Sequence, residues 1–213
     1  RGTFEGLWND VEFEPFEAGS EAHRRRFLAA RSAERGEDGE ARILTLFTLR
    51  PFGFQEEILD RLGAEREVHG HTRNLVVSAT GTGKTVIAAF DYARLVARAG
   101  TKPRVLFVAH RREILEQART TFRHVLGDGS FGELLVDGEA PTRYEHVFAS
   151  VQSASRALEA RVPGDHFRYV VFDECHHLPA DSYQRLLRFL SPEILVGLTA
   201  TPERSDGKSL LPD

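Results

Sequence analysis

The chain has 213 residues, 41% of them hydrophobic, and a formal net charge of −4, which suits one α/β domain with an appendage. No apolar run approaches the ~20 residues of a membrane span, and the N-terminal residues lack the apolar stretch of a signal peptide. The net charge does not favour a nucleic-acid-binding protein, although a local basic strip would suffice. The single cysteine, Cys175, excludes an internal disulfide and indicates a reducing, cytoplasmic location.

Residues 1–40 differ in pattern from the rest of the chain. They combine an aromatic, acidic stretch with a charged helical stretch and a glycine-containing loop, without alternating strands and helices. We interpret them as the tail of a preceding domain and a linker, and we expect the functional domain to occupy residues 41–213. Because the chain contains no Met, we expect it to be part of a longer polypeptide.

An apolar strand beginning at Asn74 leads into a glycine-containing loop, which is followed by a helix-like stretch over 86–97. Such a loop can wrap phosphate groups with its backbone N–H groups, aided by the positive end of the helix dipole. Lys84 can reach the β- and γ-phosphates, and the Thr85 hydroxyl can bind Mg²⁺. The predicted binding residues are Thr80, Gly81, Thr82, Gly83, Lys84 and Thr85. An ordinary turn also fits this string, because Ser78 stands where the full motif has glycine.

Apolar strands and amphipathic helices alternate through the remainder of the chain. We predict strands at 104–109, 134–136, 146–150, 169–173 and 194–199, and helices at 112–126 and 181–190. Continuous apolar strands that alternate with helices predict a mostly parallel sheet covered by helices on both faces, which is an α/β fold. Ligands of such sheets bind at the carboxyl ends of the strands, where the polar motifs of this chain lie.

Asp173 and Glu174 stand at the end of a predicted buried strand. In a chain with a phosphate loop, Asp173 is placed to hold Mg²⁺, and Glu174 can polarise an attacking water as a general base. The alternative is that Asp173 forms a turn, as aspartate often does at strand ends. The neighbouring Cys175-His176-His177 cluster does not predict a zinc site, because consecutive residues of an extended chain point to opposite faces.

These motifs together resemble the first RecA-like ATP-binding lobe of superfamily 2 DEAD/DEAH-type helicases. Asp173-Glu-Cys-His176 resembles the DExH box of that superfamily. Four other signatures follow the family's order, namely the adenine-recognition region (Leu49–Gln55), motif Ia (Val108–Glu113), the segment that touches the nucleic-acid backbone (Ala149–Ser153) and motif III (Gly197–Pro202). The resemblance covers roughly residues 45–205.

Residues 72–85 are most similar to bacterial helicases in which a phospholipase-D-like nuclease domain precedes the motor. Phe4–Trp8 resembles the tail of such a domain. No histidine stands two residues before any of the three lysines, so the His-x-Lys signature of that nuclease is absent from the sequence. The resemblance therefore implies no such nuclease activity for this chain.

The resemblance also implies roles for individual residues. Lys84, Asp173 and Glu174 act in ATP hydrolysis with Mg²⁺, and Gln55 contacts adenine. Phe52 or Phe54 can stack on adenine, but we expect each of them to belong to the core. Coupling between ATP and the nucleic-acid track is assigned to His176, Thr199 and Thr201, and contact with the nucleic-acid strand to Arg111, Arg112, Ser150 and Gln152.

The sequence thus predicts the ATP-binding lobe of a nucleic-acid-dependent motor, with DNA favoured over RNA and no membrane partner. A second RecA-like lobe in such motors supplies arginine fingers worth ~10³ to 10⁵ in rate, so we expect these 213 residues alone to hydrolyse ATP very slowly. Two alternatives stay open: a double-stranded DNA translocase of a restriction or defence complex, and a nucleotide-gated nucleic-acid-binding module that does not hydrolyse ATP.

Overall fold

The computed structural model describes residues 49–174 and 180–200. Helices and strands alternate along this part of the chain. They are α1 (Gly53–Glu67), β1 (Arg73–Val77), α2 (Lys84–Ala99), β2 (Val105–Ala109), α3 (Arg112–Leu126), β3 (Glu133–Leu135), β4 (His146–Ser150), α4 (Val151–Ala157), β5 (Tyr169–Asp173), α5 (Ala180–Phe189) and β6 (Ile194–Thr199).

The six strands form one parallel sheet in the order β1-β6-β5-β2-β4-β3. Alternate residues of each strand face opposite sides, so the fully buried strand β2 contributes to two cores. Phe107 packs in the core that α1, α2 and α3 cover, whereas Leu106 and Val108 pack in the core under α4 and α5. This two-layer burial explains why the strands are continuous apolar runs.

The predicted α/β fold is confirmed. The bounds of β4, β5, β6 and α3 agree with the prediction, β2 begins one residue later, and β3 and α5 each begin and end one residue earlier. Helices α1 and α4 were not predicted. In α1 the buried residues are Gln55, Leu59 and Leu62, and two apolar positions are too few to signal a helical face. Helix α4 spans only seven residues.

The expectation that Phe52 and Phe54 belong to the core is wrong. Their side chains are 49% and 47% exposed. The two rings lie almost parallel, with their centroids 6.1 Å apart. Phe52 precedes the first residue of α1, and the residues that this helix buries are Gln55, Leu59 and Leu62.

Several expectations concern residues outside the described part of the chain. They include the preceding-domain interpretation of residues 1–40 and the coupling roles of His176 and Thr201. Within the described residues, every helix is too short or too polar to cross a bilayer.

Candidate nucleotide-binding site

The phosphate loop, Ser78–Gly83, joins the carboxyl end of β1 to the first residue of α2. Its backbone turns through the left-handed region at Gly81 (φ 84°) and at Gly83 (φ 76°), which glycine adopts without steric cost. A Cβ atom at position 83 would lie 2.7 Å from Nε2 of Gln55. Glycine at position 83 therefore satisfies both a backbone and a packing requirement.

Two hydroxyl groups support this loop from within. The Oγ atoms of Ser78 and Thr82 lie 2.7 Å apart, and the Thr82 hydroxyl donates to the carbonyl of Ala79. Ser78, which departs from the glycine of the full motif, thus contributes a hydrogen bond. Sequence reasoning missed this contact, although two hydroxyl residues four positions apart around a glycine turn were a usable signal.

The strand order brings the phosphate loop and the acidic pair to the same edge of the sheet. Strand β6 alone separates β1 from β5, and neighbouring strands are ~4.8 Å apart, so the ends of β1 and β5 are ~10 Å apart. Thr199 at the end of β6 pairs with Val77, and its carbonyl accepts from the Ser78 N–H at 3.0 Å. Thr199 therefore touches the first residue of the loop.

Lys84 spans the distance between the loop and the acidic pair. Its Nζ lies 3.2 Å from Oε1 of Glu174 and donates to the carbonyls of Ser78 at 3.2 Å and Ala79 at 3.4 Å. The Lys84 side chain is only 7% exposed. A buried ammonium group among these acceptors is a strong anchor for an anion, since charge interactions strengthen away from water.

Asp173 lies beside this contact in a buried position. Burial, reinforced by repulsion from Glu174, raises the pKa of Asp173 to about 6, although Lys84 opposes the shift. Glu174 itself adopts a left-handed backbone conformation (φ 49°), which is uncommon for a residue with a side chain and clusters at functional sites. A buried carboxylate whose charge is disfavoured gains from a bound cation.

The donor set fits a magnesium ion. The carboxylate of Asp173 and the hydroxyl of Thr85 are hard oxygen ligands, and Mg²⁺ is commonly held by one or two such protein groups together with substrate phosphates. The positive-φ glycines lie beside the first turn of α2, and helix N-termini are favourable positions for phosphate groups.

Gln55 faces inward in the structure. Its Nε2 donates to the carbonyl of Thr82 at 2.9 Å, and its Oε1 accepts from the N–H of Phe52 at 3.0 Å. The side chain is 2% exposed, so both ends of the amide are engaged within the protein. The structure thus places Gln55 under the phosphate loop as a brace.

The residues expected to contact nucleic acid follow the carboxyl ends of β2 and β4. Arg111 and Gln152 are exposed. Ser150 is buried, and its hydroxyl caps α4 by accepting from the N–H of Ser153 at 3.1 Å. Arg112 is held by three carboxylates, at 3.0 Å from Asp137, 3.0 Å from Glu139 and 3.3 Å from Glu116. Arg111 and Gln152 are therefore the more accessible pair.

The parallel sheet, the phosphate loop after β1 and the acidic pair after β5 define a RecA-like ATP-binding lobe of a superfamily 2 helicase. Residues 48–204 match the family described as type III restriction enzyme, res subunit, and the chain belongs to that family.

Known proteins agree with this assignment. The chain is 31% identical over 175 residues, or 79% of its length, to irc3 of Schizosaccharomyces pombe. It is 30% identical over 137 residues, or 64% of its length, to the DNA 3'-5' translocase XPB2 of Sulfurisphaera tokodaii. The chain spans 28% of the length of each of these relatives. The UvsW helicase of bacteriophage T4 shares the fold, with a TM-score of 0.61 at 15% identity over 76% of this chain and 56% of that chain.

Proposed function

We propose that this chain is the ATP-binding lobe of a nucleic-acid-dependent ATPase that couples hydrolysis to movement on DNA or to its unwinding. The observation that carries the proposal is the position of the Lys84 amine, which lies 3.2 Å from Glu174 and also contacts the phosphate loop. The name of XPB2, a DNA 3'-5' translocase, favours DNA over RNA as the track.

Each side chain of the site takes one part in hydrolysis. The loop N–H groups and Lys84 bind the β- and γ-phosphates and offset the negative charge that develops there. Glu174 orients the attacking water and accepts its proton. Thr85 and Asp173 would hold Mg²⁺, which would neutralise phosphate charge when bound. Gln55 contacts adenine in this proposal only when its amide exchanges one of its present partners, Thr82 or Phe52, for the base.

We assign contact with the nucleic acid, and its coupling to ATP, to further residues of the chain. Arg111 and Gln152 contact the nucleic-acid backbone directly. Arg112 and Ser150 join them only when they exchange their present partners for phosphate. Thr199, a residue of motif III, accepts a hydrogen bond from the loop residue Ser78 through its carbonyl. In this proposal, His176 and Thr201 complete the coupling path.

The domain organisation is also part of the proposal. Residues 1–40 belong to a preceding domain and linker, and a phospholipase-D-like nuclease domain upstream stays a prediction. A second RecA-like lobe of the parent polypeptide provides the arginine finger, so the 213 residues alone turn over ATP very slowly. The location is cytoplasmic, as the lone cysteine suggests.

A double-stranded DNA translocase of a restriction complex is the second candidate, and the family description favours it. Its first lobe would use the same proposed site. Triplex displacement without strand separation by the full-length protein would support translocation, whereas strand separation would support a helicase.

The full-length protein carrying Glu174→Gln tests the proposed chemistry. General bases contribute ~10² to 10⁴ in rate, so we expect at least a hundredfold loss of ATPase turnover with ATP binding retained. Glu193→Gln is a matched control, because Glu193 pairs with Arg168 before β6, at the end of that strand remote from the loop. Wild-type turnover by the Glu174 variant would contradict the mechanism and favour a different base.

A further inference from the structure

Four buried polar side chains meet on the side of α2 that faces the sheet. Arg66 of α1 donates to both carboxylate oxygens of Asp91 on α2, at 2.7 and 2.8 Å. The hydroxyl of Tyr169 on β5 donates to the same carboxylate at 2.8 Å. Arg66 also donates to Oδ1 of Asn74 on β1 at 3.2 Å. We call Arg66, Asn74, Asp91 and Tyr169 the basal network.

The basal network is well shielded from water. The side chains of Arg66 and Asp91 are 9% and 4% exposed, and Tyr169 and Asn74 are buried. Burial raises the pKa of Tyr169 well above its usual value, so its hydroxyl stays protonated as a donor. A bidentate guanidinium–carboxylate pair has fixed geometry, and the network therefore holds its four elements at defined relative positions.

Each element of the basal network carries a residue of the nucleotide site or leads directly into the phosphate loop. Asp91 lies seven residues after Lys84 on α2, or ~10 Å along the helix axis. Tyr169 and Asp173 are the first and last residues of β5, ~13 Å apart. A helix or strand keeps its internal spacing through its backbone hydrogen bonds, so an axial shift at the network moves the residue at the site as well.

The other two elements follow the same arrangement. Arg66 lies eleven residues after Gln55 on α1, ~16 Å along the axis, and Gln55 braces the phosphate loop through Thr82. Asn74 is the second residue of β1, whose carboxyl end leads into that loop. One polar cluster thus joins the four elements that position the loop, Lys84 and Asp173.

We propose that the basal network positions the residues of the nucleotide site and sets the distance between Lys84 and Asp173. This distance determines how much Mg²⁺ increases the affinity for ATP. The inference rests on the proposed ATPase function, because it assigns Asp173 to the metal. It does not require any residue of the network to touch the ligand. Buried ion pairs contribute little net stability compared with apolar packing, so a positional role accounts for the presence of this one.

The chain offers a matched pair of variants for the test. Tyr169→Phe removes only the hydroxyl that bonds Asp91. Tyr92→Phe removes a hydroxyl of the same kind, which donates to the carbonyl of Pro103 at 2.7 Å outside the basal network. Both rings are buried and stay in contact with each other, at 5.4 Å between centroids. Both substitutions keep the ring packing, and Tyr169→Phe should lower the melting temperature more, because it leaves a buried carboxylate one donor short.

The readout is the affinity of the 213-residue chain for ATP with Mg²⁺ and with EDTA. We expect Tyr169→Phe to reduce the enhancement of affinity by Mg²⁺ at least fivefold and Tyr92→Phe to leave it at the wild-type value. Arg66→Lys keeps the charge but loses the two parallel hydrogen bonds of the guanidinium, and it should reduce the enhancement of ATP affinity by Mg²⁺ as Tyr169→Phe does. If Mg²⁺ enhances ATP affinity equally in the two tyrosine variants, the positioning role of the basal network is wrong. If the wild-type chain does not bind MgATP, the proposed function itself is wrong.

Discussion

The substitution Gly83→Ala tests the geometry of the phosphate loop. An alanine there must hold φ near +76°, which costs a side-chain-bearing residue about 1–2 kcal/mol. Its Cβ would lie 2.7 Å from Nε2 of Gln55, so Gln55 has to move and release the Thr82 carbonyl. Loss of that hydrogen bond costs about 0.5–1.5 kcal/mol. The alanine loop can relax from this conformation, and ATP binding then has to restore it, so the sum predicts ATP binding weaker by up to about 300-fold.

A double-mutant cycle separates these two contributions. Gln55→Ala removes the atom that collides with position 83, so Gly83→Ala should weaken ATP binding less in that background than in wild type. Gly81→Ala is the control for backbone strain, because φ is 84° there and no atom lies within 4 Å of an added Cβ. Equilibrium titration with a fluorescent ATP analogue gives each dissociation constant, and thermal melting checks folding.

One result of the double-mutant cycle would contradict the proposed contact between positions 55 and 83. If the effects of Gly83→Ala and Gln55→Ala on ATP affinity add within about 0.5 kcal/mol, the two residues are not in steric conflict, and the role of Gln55 as a loop brace is wrong. Gly138→Ala, at φ 88° in an exposed turn, should lower the melting temperature without changing ATP affinity.

Two further predictions concern charge. Because burial and Glu174 raise the pKa of Asp173 to about 6, a proton competes with Mg²⁺ below that pH, and the Mg²⁺ enhancement of ATP affinity should fall about tenfold per pH unit. The raised pKa also means that the charged carboxylate of Asp173 destabilises the fold above pH 6, and this effect is relieved as the pH falls toward 4. Asp173→Asn should therefore raise the melting temperature at pH 7 and abolish this pH dependence of stability. An unchanged pH profile of the melting temperature in that variant would show that another group titrates. Arg111→Ala should weaken DNA binding several-fold and reduce the number of ions released on binding, measured from the salt dependence of the affinity, by about one. Arg112→Ala should mainly lower the melting temperature, because Arg112 is already held by Asp137 and Glu139. A larger loss of DNA affinity for Arg112→Ala than for Arg111→Ala in filter-binding assays would assign the phosphate contact to Arg112.

The sequence was informative where one physical pattern dominated. Strands β4, β5 and β6 are continuous apolar runs because both faces of the sheet are covered, and their bounds were predicted to the residue. The phosphate loop and Asp173 follow such strands, and parallel pairing then brings them to one edge.

The sequence was least informative about pairings between distant residues. Arg66 and Asp91 are 25 positions apart and Tyr169 is a further 78 positions along, so no local pattern reveals the basal network. Arg112 shows the same difficulty, since its charge signals a phosphate contact whereas its partners lie at Asp137 and Glu139. Helix α1 was missed because only two of its buried residues, Leu59 and Leu62, are apolar, and the third is the polar Gln55.

The most direct measurement is the binding of Mn²⁺ to the 213-residue chain, followed by electron paramagnetic resonance with and without ATP. If Lys84 and Asp173 act on one metal-bound triphosphate, the chain should bind Mn²⁺ tightly only when ATP is present, and Lys84→Ala or Asp173→Asn should each remove that binding. Tight Mn²⁺ binding without ATP, or wild-type ATP-dependent binding in both variants, would contradict a shared nucleotide–metal site.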